Sequence, residues 1–360
     1  RGVTFTGHRP ADEQRSDFLS SQDNWFRPVQ VRTGPDGALW VVDMYRYLIE
    51  HPRWIPADQL AKIDVRAGDD KGRIYRIYPR GKKLRPIRDL TKLVGLELAA
   101  ALDSPNGTER DRVQLELLRR RDGTAAKPLL ELATKSARPQ VRVQALSALA
   151  RMLPVSTLIL NQVVRDPHPA VRQTALRLCE PVLSGRLGEF FPHHFRSEDI
   201  TEALFAMSHD PDPSVRLQLA LTLGASHDPR SGKALGQLAG SGLSDPWLCA
   251  AVLSSAEWHA GEIFEAVART PEGTPGRDEM ISKLIATASA NGPKTGFDKI
   301  LAALIPQDQQ ALTGWRLTAL ASLIMGTDDD YFSLHAYLSE KPVMRSMASR
   351  LWQSLTNASK

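Results

Sequence analysis

Cysteine is nearly absent from this chain: of 360 residues only Cys179 and Cys249 are cysteine, each within an apolar helical stretch. There is no C-x-x-C and no C-x-x-C-H. A thiolate zinc site, a dithiol redox pair and a covalently attached haem are therefore excluded from this chain. Both thiols read as small core residues, and cysteine use this low does not fix a compartment. Long apolar runs are missing too, since none reaches the roughly 18 residues needed to span a bilayer. No G-x-S-x-G or other nucleophile elbow occurs, and no glycine-rich stretch resembles a phosphate cradle. The chain also lacks an initiator methionine and a basic-then-apolar leader, so it opens at Arg1 as a fragment of a longer protein would.

Charge of one sign is scarce where it would matter most. The net charge is +5. Residues 1–86 hold 16 Lys and Arg against 11 Asp and Glu, and the remainder holds 30 of each. A nucleic-acid binder carries a basic face, and the long C-terminal part has no surplus to build one. The one dense basic run is "GRIYRIYPRGKKLRPIR", with Arg73, Arg76, Arg80, Lys82, Lys83, Arg85 and Arg88. It is a candidate for a phosphate or an acidic partner, and reads more simply as a solvated strand edge and linker. Hydrophobic content of 42% and charged content of 24% are those of a soluble globular protein, with length enough for two domains.

What is present, from about residue 90, is a repeat. "SARPQVRVQALSALA" (136–150), "RDPHPAVRQTALRLC" (165–179) and "HDPDPSVRLQLALTL" (209–223) share a proline turn, then Val-Arg, then Ala or Leu at helical spacing. Val141, Val171 and Val215 are equivalent, as are Arg142, Arg172 and Arg216. Weaker copies lie at 104–118 and 244–255. Asp166, Asp210 and Asp245 stand where N-caps would be, with proline at or near the first helical position. The arginines are expected to be structural, bonding neighbouring acids or carbonyls between repeats. "GRLGEFFPHHFRSED" reads as an insertion, and after residue 256 amphipathic helices continue with the pattern blurred. Units that cannot bury an apolar stripe alone stack on one another into an α-solenoid. At this point the sequence resembles the HEAT-repeat family.

Residues 1–86 differ in habit. Val29, Val31 and Thr33 alternate, Asp36-Gly37 turns, residues 38–43 return, and "GRIYRIYP" alternates again after a long excursion. The expectation is three antiparallel strands, and a lone three-stranded sheet has little to bury against. Such a piece is expected as one blade of a β-propeller. The fold class is thus mainly α: a HEAT-type solenoid over residues 87–360, preceded by a short antiparallel β segment over 1–86.

The block "DNWFRPVQVRTGPDGALWVVDMYR", followed by "DVRAGDDKGRIYRIYP" and "LVGLELAAALDSPNGTERDRVQLELLRRRD", resembles membrane-bound dehydrogenases of planctomycete and verrucomicrobial type. That resemblance implies a glucose/sorbosone dehydrogenase-like propeller ending in residues 1–86, then HEAT repeats, then a c-type cytochrome domain beyond Lys360. It implies an exported, periplasmic or envelope-associated oxidoreductase acting on a sugar- or alcohol-like substrate. Haem c, and a quinone or Ca²⁺, would belong to the full-length protein, with none held within this chain. The alternative is a non-catalytic scaffold that binds proteins or neighbouring domains along the solenoid.

Candidate site residues come from the excursion after the second strand, because loops on a rigid scaffold carry function. Asp43 is a candidate for a cation or a sugar hydroxyl and His51 for a base, the two catalytic candidates. Arg27 and Arg46 would pair with a carboxylate of a quinone or substrate, and Tyr45 and Trp54 complete the cofactor-binding set. The plainer reading is tryptophan packing and a structural ion-pair cluster. No metal site is expected: "TDDDY" (327–331) lacks calcium-loop spacing, and His193-His194 has no third ligand at a telling distance. His209 and His227, each before an Asp-Pro, fit turn positions.

Overall fold

The computed structural model describes residues 8–186, 198–291, 296–304, 314–326 and 349. The expected insertion at 185–199, His193-His194 and the "TDDDY" segment lie wholly or mostly outside the described residues. The chain is a helical solenoid led by a small sheet, as its sequence pattern predicts.

Three strands form that sheet: β1 (Pro28–Thr33), β2 (Leu39–Asp43) and β3 (Arg73–Ile77), in the order β1-β2-β3 and antiparallel throughout. Val31, Val41 and Tyr75 share one row, and a bulge between Pro28 and Gln30 ends the regular register. The turn between β1 and β2 is organised by Asp36. Its buried carboxylate accepts from Ala38 N (3.0 Å), Trp40 Nε1 (3.1 Å) and the Arg76 guanidinium. Burial pushes the Asp36 carboxyl upward, and these hydrogen bonds outweigh it, so its pKa falls below the ordinary value. Alternation along β1 predicts one buried face, yet all six of its residues are exposed. Nothing among the described residues covers this edge strand.

Helices follow: α1 (Ala57–Leu60) in the excursion, then α2 (Gly95–Ala101), α3 (Gly107–Arg120), α4 (Ala126–Lys135) and α5 (Pro139–Met152). Next come α6 (Thr157–Val163), α7 (Pro169–Leu183), α8 (Glu198–Ala206), α9 (Pro213–Leu223), α10 (Pro229–Gly242) and α11 (Pro246–Ser254). The last are α12 (Ala260–Ala268), α13 (Arg277–Asn291), α14 (Phe297–Leu304) and α15 (Trp315–Gly326). The described residues fall into two compact units divided within α5, one up to Ala148 and one from Leu149.

In the first unit Asn106 joins sheet to helices. Its Oδ1 accepts from Glu109 N at the start of α3, while its Nδ2 donates to the Gly34 carbonyl at 2.8 Å. Thr108 Oγ1 donates to the Thr33 carbonyl at 2.6 Å.

In the second unit α7, α9, α11, α13 and α15 pack in succession as one layer. Helices α6, α8, α10, α12 and α14 form the other layer in the same manner. This is the two-layer stacking the repeat requires. Val171 and Val215 are fully buried, with Ala175 and Leu219 one turn on.

The caps differ from expectation at two turns. His168, Asp212 and Asp245 are the N-caps of α7, α9 and α11. Asp166 and Asp210 instead accept from the N–H two residues on, at 2.8 and 2.9 Å. Proline explains the shift. The residue before a proline is kept out of the α region, so the cap is whichever residue precedes the last proline of the turn.

Candidate functional site

Asp43 ends β2 with a side chain sealed from solvent. Its Oδ1 accepts two backbone N–H groups, Arg27 N at 2.8 Å and Tyr45 N at 2.9 Å. Its Oδ2 has no hydrogen-bond partner, and Arg73 Nε stands 4.0 Å away. The carboxylate thus ties the approach to β1 to the exit from β2.

Tyr45, two residues on, has φ 51°, a left-handed conformation that a bulky residue rarely adopts. The reason lies in what it reaches. Its phenol donates to Asp23 Oδ2 at 2.8 Å, and Trp25 packs beside the ring with centroids 5.7 Å apart. The Arg73 guanidinium covers the ring at 3.8 Å. Gly68, at φ 91°, lies directly against the Tyr45 carbonyl, where a Cβ would collide. Asp23 also accepts from Trp25 N, and that bond, followed by the one from Tyr45, holds its carboxyl below the usual range. The same Asp23 contact raises the Tyr45 phenol.

The candidate residues therefore divide. Asp43, Tyr45 and the backbone of Arg27 meet in this constellation, while the Arg27 guanidinium donates to the Asn24 and Phe26 carbonyls. Arg46 Nη1 donates to the Arg66 carbonyl at 3.1 Å. His51 is exposed and caps the short turn Pro52–Trp54, its Nδ1 accepting from Arg53 N at 3.3 Å. Trp54 is 71% exposed, with the Arg53 guanidinium over its ring.

Asp23 and Arg73 complete the constellation without having been singled out as site residues. They come from segments far apart in sequence, and only the left-handed Tyr45 brings them together. A Tyr followed by Arg carries no sequence signal for that conformation. Asp43 does not suit a calcium ion, because the available oxygen faces a guanidinium. Among the described residues no three of His, Cys, Asp or Glu gather as metal ligands.

The solenoid carries its own polar pattern. Arg142, Arg172 and Arg216 donate to carbonyls six residues earlier, those of Ser136, Asp166 and Asp210. Arg172 also pairs with both oxygens of Asp210, at 2.8 Å each, joining α7 to the turn before α9. Among the described residues no helix is long and apolar enough to cross a membrane.

Comparison with known families agrees with this division of character. Residues 1–81 match a family described as a domain of unknown function (DUF7133), and residues 156–254 match HEAT repeats. None of the curated proteins compared matches the chain.

Proposed function

We propose that this chain is an interaction scaffold, with residues 1–86 as a sheet module and residues 87–360 as the HEAT solenoid that presents the binding surface. The observation carrying this reading is where the solenoid's large apolar side chains stand. Leu158 is 81% exposed and Trp247 71% exposed, while the arginine guanidinia of the turns are occupied internally. Tryptophan is enriched at protein interfaces, where its large flat area anchors a partner. A photo-crosslinking phenylalanine analogue at position 158 or 247 of the full-length protein tests this. Cross-links to a second polypeptide, or to another domain of the same one, are the expected result. Cross-links at neither position would sink the reading.

A second reading places the sheet module at the end of a β-propeller in an exported, periplasmic or envelope-associated oxidoreductase. That protein would oxidise a sugar- or alcohol-like substrate and pass electrons to a c-type haem domain, with this solenoid as spacer. The bare sheet favours it. Before Leu90 only Ala38 and Val41 are buried apolar side chains among the described residues, while Val29, Val31, Ile74 and Tyr75 stand exposed. Such a sheet is completed by neighbouring β-structure. The dehydrogenase chemistry itself rests on the sequence resemblance. Substrate-dependent haem reduction by the protein from the complete reading frame is the test, with His51→Ala and Arg46→Ala as probes. Loss of turnover at unchanged melting temperature would give those residues a direct role. Absence of any haem reduction would remove this reading.

A further inference from the structure

The basic run of residues 73–88 is only partly neutralised by the fold. Arg73 stands 4.0 Å from Asp43, Arg76 is paired with Asp36, and Arg88 lies 3.5 Å from Glu109. Arg80, Lys82, Lys83 and Arg85 are exposed, and among the described residues none of the four has a carboxylate partner. The chain leaving β3 carries them back to the β1–β2 hairpin. There Arg85 N donates to the Asp36 carbonyl at 3.3 Å, and the Arg85 guanidinium lies over Gly37. Arg32 on β1 is also exposed and without a carboxylate, in one row with Trp40 and Arg76.

β1 is at the same time an open edge. It pairs with β2 on one side, and on its other side the Thr108 hydroxyl bonds only the Thr33 carbonyl. Backbone groups point the same way at every second residue, so the N–H and carbonyl of Val31 face outward as well. The Val31 side chain, on the sheet face opposite Arg32, is 55% exposed. Such an edge pairs with polypeptide backbone, which a phosphate polymer or a lipid surface cannot supply. The cation on it selects among polypeptides, disfavouring basic chains and admitting one that brings the opposite charge. The N-terminus of α3, held against Thr33 by Thr108, adds the positive end of a helix dipole. Glu109 in that first turn is already matched by Arg88 and Arg112.

We propose that β1 is a docking edge for an extended acidic segment of a partner polypeptide, which adds a fourth strand and sets its acidic side chains beside Arg32. The residues alternating with those acids are apolar and lie beside Val31. The unneutralised cations around the hairpin draw the segment in. This surface belongs to the sheet module and lies beyond the solenoid surface of the scaffold reading.

Fluorescence anisotropy with the intact chain tests this, using three labelled peptides of strand length. The first is Thr-Glu-Val-Glu-Val-Glu-Thr, and the second carries Gln for every Glu. The third keeps the Glu residues but is N-methylated at alternate backbone nitrogens, so it cannot pair along an edge.

Only the first peptide is expected to bind. Arg32→Glu should weaken it about tenfold, and the double variant Lys82→Glu, Lys83→Glu several-fold, with the smaller loss vanishing at high salt. All three side chains are exposed, and an unchanged thermal melt checks that the fold is kept. Binding of none of the peptides, equal binding of the glutamine or N-methylated form, or undiminished binding to either folded variant would overturn the proposal. So would tighter binding of a single-stranded oligonucleotide or of phosphatidylserine vesicles than of the acidic peptide. Cross-linking at Leu158 and Trp247 judges the solenoid surface separately, so either can fail alone.

Discussion

Arg172 shows at the scale of one residue how the solenoid turns are held. Its guanidinium bonds the Asp166 carbonyl and both oxygens of Asp210, and both side chains are nearly buried. Removing it leaves a buried carboxylate without its cation, which costs about 3 kcal/mol. Arg172→Ala should therefore lower the melting temperature of the solenoid unit by several degrees, with Arg172→Lys recovering part of the loss. An unchanged melting temperature would place the arginine outside the structural role.

The structural role of these arginines was readable from sequence, because a Val-Arg pair recurring after a proline turn has one physical use in stacked helices. Asp36 was legible only as a turn residue. Its folded pKa is depressed, so it stabilises the fold above the unfolded carboxylate range, near pH 4. That contribution is lost as pH falls through the lower folded value. Thermal melts from pH 6 down to pH 3 should show this loss in the wild type and a shallower slope in Asp36→Asn. The Tyr45 constellation was not legible at all. Its members are distant in sequence, and a left-handed tyrosine follows from contacts rather than from propensity.

At the scale of elements, α10 and α12 approach closely because glycine lines α10. A Cβ at Gly236 would stand 2.7 Å from the Ala266 Cβ and 3.2 Å from the Glu262 carbonyl. A Cβ at Gly240 would have only Thr270 Cγ2 near it, at 3.8 Å. The two positions lie one turn apart on one helix, so alanine at each makes a controlled pair. Gly236→Ala should destabilise by about 1–3 kcal/mol through overpacking. Gly240→Ala should be neutral or stabilise by up to about 1 kcal/mol, since helix propensity then acts without a clash. Urea midpoints measure both, and equal effects would show that the close approach is not held by Gly236. Helix existence was legible because apolar periodicity reports stacking directly. Cap identity was legible at Asp245 but not at the two Asp-Pro-x-Pro turns, where two prolines compete and the second one decides.

At the scale of the whole chain, stability is unequally distributed. The unit from Leu149 onward has a continuous apolar interior running through both helix layers, with Leu176, Leu204, Leu235 and Phe264 fully buried. The unit up to Ala148 combines a well-packed helical part, with Leu98, Leu117 and Leu129 fully buried, and a sheet in which Ala38 and Val41 are the only buried apolar side chains among the described residues. Burying a large apolar side chain contributes about 1.5–3 kcal/mol, so the sheet has little to set against the entropy of ordering its long excursion. Its order depends instead on polar ties: Asp36, Asp43, and the grip of Asn106 and Thr108 on the hairpin. Calorimetry of the intact chain should therefore resolve two transitions. Asn106→Ala and Gly68→Ala should lower only the first, and Arg172→Ala only the second. A single transition that every one of these variants shifts would mean that the chain unfolds as one cooperative body, with the sheet's ties supporting the solenoid as well.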